Sequence, residues 1–143
     1  MLALQFGADH GELVRKLVIH SSAYRLRPVG KELQLRIRDL VRKGQWRRAN
    51  ATLMEFVLKP SWYRGALGAV ASALVTMGGA PDDPSDLIVT IEAEDAFDFR
   101  DRLGEIAVPT LGIAGAEDPG YSEEFFRETA QGIPDAHLVL YPG

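Results

Sequence analysis

Cysteine is absent from the 143 residues. A disulfide framework and thiolate ligation of zinc are therefore excluded, and the redox compartment is left open. Long hydrophobic runs are scarce as well. The longest nearly uninterrupted one, "GALGAVASALVTM" at residues 65 to 77, falls short of the roughly 20 residues that a membrane span needs and is rich in small side chains. It reads as a buried helix, and no membrane span is expected. The opening "MLALQFGADH" has neither a basic n-region nor a cleavage-like site, so no signal peptide is expected; the compartment is unknown, with the cytoplasm as the expectation. The sequence also lacks a phosphate-cradling glycine-rich loop, a dinucleotide fingerprint and a cluster of metal ligands. No cofactor and no metal are implied.

What is present is the composition of an ordinary globular domain, 46% hydrophobic and 25% charged, which is enough to build one core. The net charge of −4 hides an asymmetry. Between Arg25 and Arg48 nine Arg or Lys face only Glu32 and Asp39, a local balance of +7, whereas from Asp82 onward fifteen Asp or Glu face Arg100, Arg102 and Arg127, a balance of −12. A basic helical stretch can mark nucleic-acid binding. Here no aromatic residues interleave to stack bases, so the expectation is two solvated faces of opposite charge and no nucleic-acid partner.

Hydrophobic spacing places the elements. The short, partly β-branched run Leu17 to Ile19 suits a buried strand, with Ser21 and Ser22 at its carboxyl end. In "GKELQLRIRDLVRKG" the residues Leu33, Ile37, Leu40 and Val41 share one helical face, and Gly44 stands where a helix would stop. In "WRRANATLMEFVLKP" the face is Trp46, Ala49, Leu53 and Val57, ending at Pro60. A third helix from about Trp62 aligns Gly65, Ala69 and Ala73 and is stopped by Gly78 and Gly79. Asp83 before Pro84 resembles an N-cap with proline at the first helical position, and Asp86 adds a favourable charge in the first turn. The β-branched cluster from Ile88 to Ile91 argues for a strand there; the specific cap favours a helix. The last third reads as strand "VPTLGIAG", helix "SEEFFRETAQGIP" capped by Ser122 and closed by Gly132, and strand "AHLVLYPG". Strand, helix and strand with short connections imply parallel pairing.

In open parallel sheets, ligands gather beyond the carboxyl ends of the strands. That selects His20 to Ser22, Gly115 to Asp118, and whatever follows Tyr141.

The order of these elements, with "VPTLGIAGAEDPGYSEEFFRETAQGIPDAHLVLYPG" at the end and "LALQFGADHGELVRKLVIHSSA" at the start, resembles the C-terminal half of an α/β-hydrolase-fold protein. The resemblance implies an α/β chain carrying a partial hydrolase fold, with three late parallel strands and a helical cap inserted between the first and second. Its parts would be residues 1–23 as core helix and strand, 24–96 as the lid or cap, and 97–143 as core strands and helix. It also implies that Asp118 is the acid of a catalytic triad, with Glu117 as its rival. Tyr24, Trp46, Met54, Trp62 and Tyr63 on the cap offer apolar surface suited to an apolar acyl or similar small-molecule substrate, or else form the inner packing face of the cap. Without the resemblance the spacing favours a helix-entry or turn carboxylate ahead of Ser122 for Asp118.

The family pattern also shows what the chain lacks. The nucleophile elbow Gly-x-Ser-x-Gly occurs nowhere in it, and by the resemblance it belongs upstream of Met1, with the catalytic histidine following Gly143. His10 is expected in an exposed turn and His137 at the amino end of the last strand; His20, near a strand's carboxyl end, either faces the pocket or, as the favoured expectation, is a packed or hydrogen-bonded core histidine. A triad of Ser21 or Ser22, His20 and Asp118 would lack the strained elbow that exposes a nucleophile. The expected function is a portion of a serine-hydrolase-type enzyme for ester, amide or related bonds, inactive alone. Members with an aspartate nucleophile, such as dehalogenases and epoxide hydrolases, remain open, and the alternative is a non-catalytic binding module using the cap groove.

Overall fold

The computed structural model describes residues 1–57, 70 and 83–142, and of 55–57 the backbone alone. Trp62, Tyr63, the third expected cap helix and its Gly65, Ala69 and Ala73 stripe lie outside the described residues. The described elements are α1 (Leu2–Asp9), β1 (Leu17–His20), α2 (Pro28–Arg42), α3 (Trp46–Val57), α4 (Ser85–Ala96), β2 (Thr110–Gly115), α5 (Glu123–Gly132) and β3 (Ala136–Tyr141), with short 3₁₀ turns at Gly11–Leu13 and Arg100–Glu105. They fall into two compact units, Met1–Gly30 with Ala96–Gly143, and Lys31–Asp95.

The first unit holds the sheet. Its three strands are all parallel, in the order β1-β2-β3. Alternation along each strand divides the residues between two faces. Leu17 and Ile19, Thr110 and Ala114, and Leu138 and Leu140 look toward a core shared with Leu4 of α1, Tyr24, Phe99, Leu103, Ile106, Phe126 of α5 and Ile133. The opposite face carries the row Val18, Leu111, His137 and the row His20, Ile113, Val139, followed by Gly115 beside Tyr141. That face is open: Val18 is 58%, Val139 40% and Tyr141 60% exposed.

Two chain crossings into and out of the first unit are bonded to each other. The Phe99 N–H donates to the Tyr24 carbonyl (2.9 Å), and Arg25 pairs with Asp98 (3.7 Å). Tyr24 does not sit on a cap helix. It is wholly buried in the sheet unit, with its ring against Phe125 and its hydroxyl donating to Glu128 Oε2 (2.6 Å). An aromatic ring with a polar tip is often placed this way, with the body packed and the hydroxyl satisfied.

The second unit is helical. Leu33, Ile37, Leu40 and Val41 of α2 pack with Trp46 and Ala49 of α3 and with Leu87, Ile88 and Ile91 of α4, the face expected from their spacing. Gly44 ends α2 at φ +67°, where the Gln45 N–H reaches the Leu40 carbonyl (2.8 Å) and the Gly44 N–H the Val41 carbonyl (2.9 Å), a Schellman closure. On α3 the expectation needs correction. Leu53 is 39% exposed, while Asn50 is buried beside Ala49, so the inward face is Trp46, Ala49 and Asn50. At 83–96 the cap prevails over the β-branched cluster: Asp83 Oδ1 accepts the Ser85 N–H (2.9 Å), and a helix follows. Basic α2 and acidic α4 meet through Arg38 and Arg42 on Glu92 (3.8 and 2.5 Å) and Lys31 on Asp95 (4.0 Å). These half-exposed pairs orient the helices more than they stabilise them.

Candidate active site

Asp118 lies three residues past the carboxyl end of β2, at the edge where ligands collect in parallel sheets. The loop that carries it is short and heavily bonded. The Ala116 N–H donates to the Tyr141 carbonyl (2.9 Å), extending the β2–β3 ladder past the strand, and the Asp118 N–H donates to the Gly115 carbonyl (3.2 Å). One carboxylate oxygen, Asp118 Oδ1, accepts the N–H groups of Gly120 (2.8 Å) and Tyr121 (2.9 Å). This is the aspartate-turn geometry that short acidic side chains favour. Oδ1 thus fixes the carboxylate, and among the described residues Oδ2 accepts no hydrogen bond. Asp118 is half-buried, whereas its rival Glu117 is exposed.

Helix α5 starts at once behind this loop. Ser122 caps it by accepting the Phe125 N–H (3.2 Å), and Glu123 and Glu124 occupy the first turn, where carboxylates suit the helix dipole. Asp118 is therefore not the cap itself. It is a turn carboxylate, bonded to the Gly120 and Tyr121 amides ahead of the Ser122 cap. Gly132, expected to close α5, is its last helical residue and not a left-handed stop. A Cβ there would stand 2.6 Å from Leu103 Cδ1 and 2.9 Å from Leu103 Cβ, so glycine is required by close approach.

The histidines stand apart from Asp118. His10 is exposed with its ring against Phe6 (5.0 Å between centroids). His137 is exposed near the amino end of β3. His20 ends β1 on the open sheet face and is exposed, which corrects the expectation of a packed core histidine: β1 buries Leu17 and Ile19, and His20 takes the opposite phase of the alternation. Among the described residues no histidine hydrogen-bonds to Asp118. Ser21 adopts φ +45°, uncommon for a residue with a side chain, while its N–H donates to the Ile113 carbonyl (2.9 Å). Ser22 Oγ accepts from the Met1 amino group (3.1 Å).

Of the remaining expected substrate contacts, Trp46 is half-buried and packs against the core of the helical unit, and Met54 is half-buried on α3. Sequence reading missed the cluster at Tyr24. Arg100 Nη2 donates to Glu128 Oε2 (2.6 Å) and to the Tyr24 hydroxyl. The Tyr24 hydroxyl bond, reinforced by the Arg100 charge, holds the Glu128 carboxyl below its ordinary range. These partners lie 76 and 104 residues from Tyr24, beyond any local pattern. Among the described residues no group of three His, Cys, Asp or Glu could hold a metal ion, and no helix is long and apolar enough to cross a membrane.

No protein-family model and no curated protein matches the sequence. Solved structures do match the fold. An α/β hydrolase, MGS-M2, from a Medee basin deep-sea metagenome library superposes with a TM-score of 0.84 at 19% identity, over 99% of this chain and 52% of that one. The enol-lactonase from Burkholderia xenovorans LB400 gives 0.76 at 24% identity, over 97% of this chain and 52% of that one. An acetylester hydrolase from Corynebacterium glutamicum gives 0.70 at 10% identity, over 99% and 50%. The chain thus spans about half the length of the structures it matches. Three parallel strands in one sheet, with helices between the first two, give the chain a partial α/β-hydrolase fold.

Proposed function

We propose that this chain is the C-terminal portion of a serine-hydrolase-type enzyme and that Asp118 is the acid of its Ser-His-Asp triad. The observation that carries the proposal is the division of labour within one carboxylate: Oδ1 is held by the Gly120 and Tyr121 amides, and Oδ2 is left to accept an imidazole Nδ1–H. In that role Asp118 fixes the histidine tautomer and stabilises the imidazolium formed when the nucleophile's proton moves to Nε2. The serine attacks the acyl carbon, the histidine returns the proton to the leaving group, and water then repeats the cycle on the acyl-enzyme. Nucleophile and base would come from outside the 143 residues, which contain no Gly-x-Ser-x-Gly. An enol-lactonase and an acetylester hydrolase among the structural neighbours favour an ester or lactone carbonyl as the target. Met54, Trp62 and Tyr63 are kept as candidates for contact with an apolar acyl group. Tyr24 is withdrawn because its ring is sealed in the sheet core, and Trp46 already serves internal packing.

The test uses p-nitrophenyl acetate. The 143-residue chain should release no nitrophenol above buffer, since loss of serine or histidine from such a triad costs on the order of a million-fold in turnover. The product of the open frame read through its flanking codons should turn over, and Asp118→Asn should lower its kcat on the order of 10⁴-fold. Undiminished turnover by Asp118→Asn would sink the assignment, and turnover by the 143-residue chain would show that the nucleophile lies within it.

A further inference from the structure

The Asp118 loop is held from outside as well as by its own strand and helix. The Gly120 N–H is spent on Asp118 Oδ1 (2.8 Å), while the carbonyl of the same residue accepts the Arg27 N–H (3.3 Å) at the root of α2. A Cβ on Gly30, in the first turn of α2, would stand 3.2 Å from that carbonyl oxygen and 3.6 Å from Gly120 Cα. Leu26 Cδ2 lies 3.6 Å from the same Cβ position and 4.0 Å from one on Gly120. Gly30, Leu26 and Gly120 are all buried. Two glycines therefore let a helix start and the acid loop touch backbone to backbone, and the Gly120–Tyr121 peptide whose oxygen Gly30 approaches carries the Tyr121 N–H that donates to Asp118 Oδ1.

The geometry points to Gly30, backed by Leu26, as a positioning residue for the Asp118 carboxylate. This rests on the reading of Asp118 as the triad acid. The reason is steric and directional. A methyl group at residue 30 meets a backbone oxygen, which cannot swing aside as a side chain can, so the loop must yield by a few tenths of an ångström. Because Oδ1 follows the Gly120 and Tyr121 amides, the yielding is passed to Oδ2, whose direction matters for an acid that orients a base. Alanine is a better helix former than glycine, so α2 is not itself weakened, and loop position separates from fold stability. A methyl on Gly104, by contrast, would meet open space.

The test is carried out first on the 143-residue chain, by NMR-detected amide exchange in Gly30→Ala, Leu26→Ala and Gly104→Ala. Gly30→Ala is expected to speed exchange of the Gly120 and Tyr121 amides by about threefold to tenfold, the equivalent of weakening one hydrogen bond, with the thermal midpoint unchanged or raised. Leu26→Ala, which removes packing without adding an atom, should speed the same two amides, and Gly104→Ala should leave them alone. Unchanged exchange at Gly120 and Tyr121 in both Gly30→Ala and Leu26→Ala would overturn the proposal. So would a general rise in exchange with loss of the thermal midpoint in Gly30→Ala. In the complete enzyme Gly30→Ala should lower kcat by about tenfold with KM unchanged. If Asp118→Asn leaves turnover intact, the acid reading has failed, and the exchange at Gly120 and Tyr121 still decides whether Gly30 seats the loop.

Discussion

Glu128 gathers the Tyr24 hydroxyl and the Arg100 guanidinium on a single oxygen, and that arrangement has a pH signature. Both donors favour the carboxylate, so its pKa in the folded chain lies below the ordinary 4.5, and the unfolded chain binds its proton more readily. The stabilisation is complete above about pH 4.5 and is lost as pH falls through the depressed value. Glu128→Gln, which cannot titrate, should therefore lose less of its thermal midpoint than the parent chain between pH 6 and pH 3; equal losses would remove Glu128 from the acid response. Tyr24→Phe should cost about 1–2 kcal/mol in urea unfolding through the lost hydroxyl bond to a charged group. Tyr24→Ala should cost about 3–5 kcal/mol because a buried ring is deleted. The place of Asp118 just past β2 was legible in the sequence because a strand, a loop and a capped helix are consecutive, whereas its role as an acid came only from the family resemblance. Tyr24 was misread because an aromatic residue at the start of an insertion looks the same whether it faces a ligand or a core, and only Glu128 and Arg100, far along the chain, settle which.

At the scale of elements, what local chemistry dictates was readable and what neighbours dictate was not. The α2 face and its glycine stop, the capped start of α4 and the strand–helix–strand ending all follow from spacing, caps and turn residues within a few positions. Gly44 at φ +67° predicts that Gly44→Ala destabilises the helical unit by about 1–2 kcal/mol, the usual cost of a side chain in the left-handed region. The inward turn of Asn50 in place of Leu53, and the reason for Gly132, depend on what lies across the interface. Gly132→Ala would drive a methyl into Leu103 and should cost about 1–3 kcal/mol, as overpacking does, without disturbing the Ser122 cap. Circular dichroism with thermal melts separates the two, since Gly44→Ala acts on α2–α3 and Gly132→Ala on the sheet unit.

Among the described residues, the sheet of the first unit is finished on one side only. Parallel sheets are normally covered on both faces, yet Val18, Val139 and Tyr141 are open here, and β1 and β3 are both edges. The isolated chain should bind the dye ANS and self-associate with rising concentration, and Val18→Lys with Val139→Lys should reduce both without lowering helix content. Unchanged association in that double variant would place the sticky surface elsewhere. No periodicity in the strands marks this face as bare, because Val18, Leu111, Ile113 and Val139 have the composition of a covered one. The coarse fold could be read from element order; the open face needed the register.

The bond between Phe99 and Tyr24 also carries an entropic consequence. It closes a loop whose length includes all of α2, α3 and α4, and the cost of closing a chain grows only with the logarithm of its length. Doubling or halving the stretch between those two residues changes that cost by about 0.6 kcal/mol. The sheet unit is therefore nearly indifferent to how many residues its insertion holds, and chains sharing this core are free to lengthen, shorten or replace that stretch while keeping the same neck.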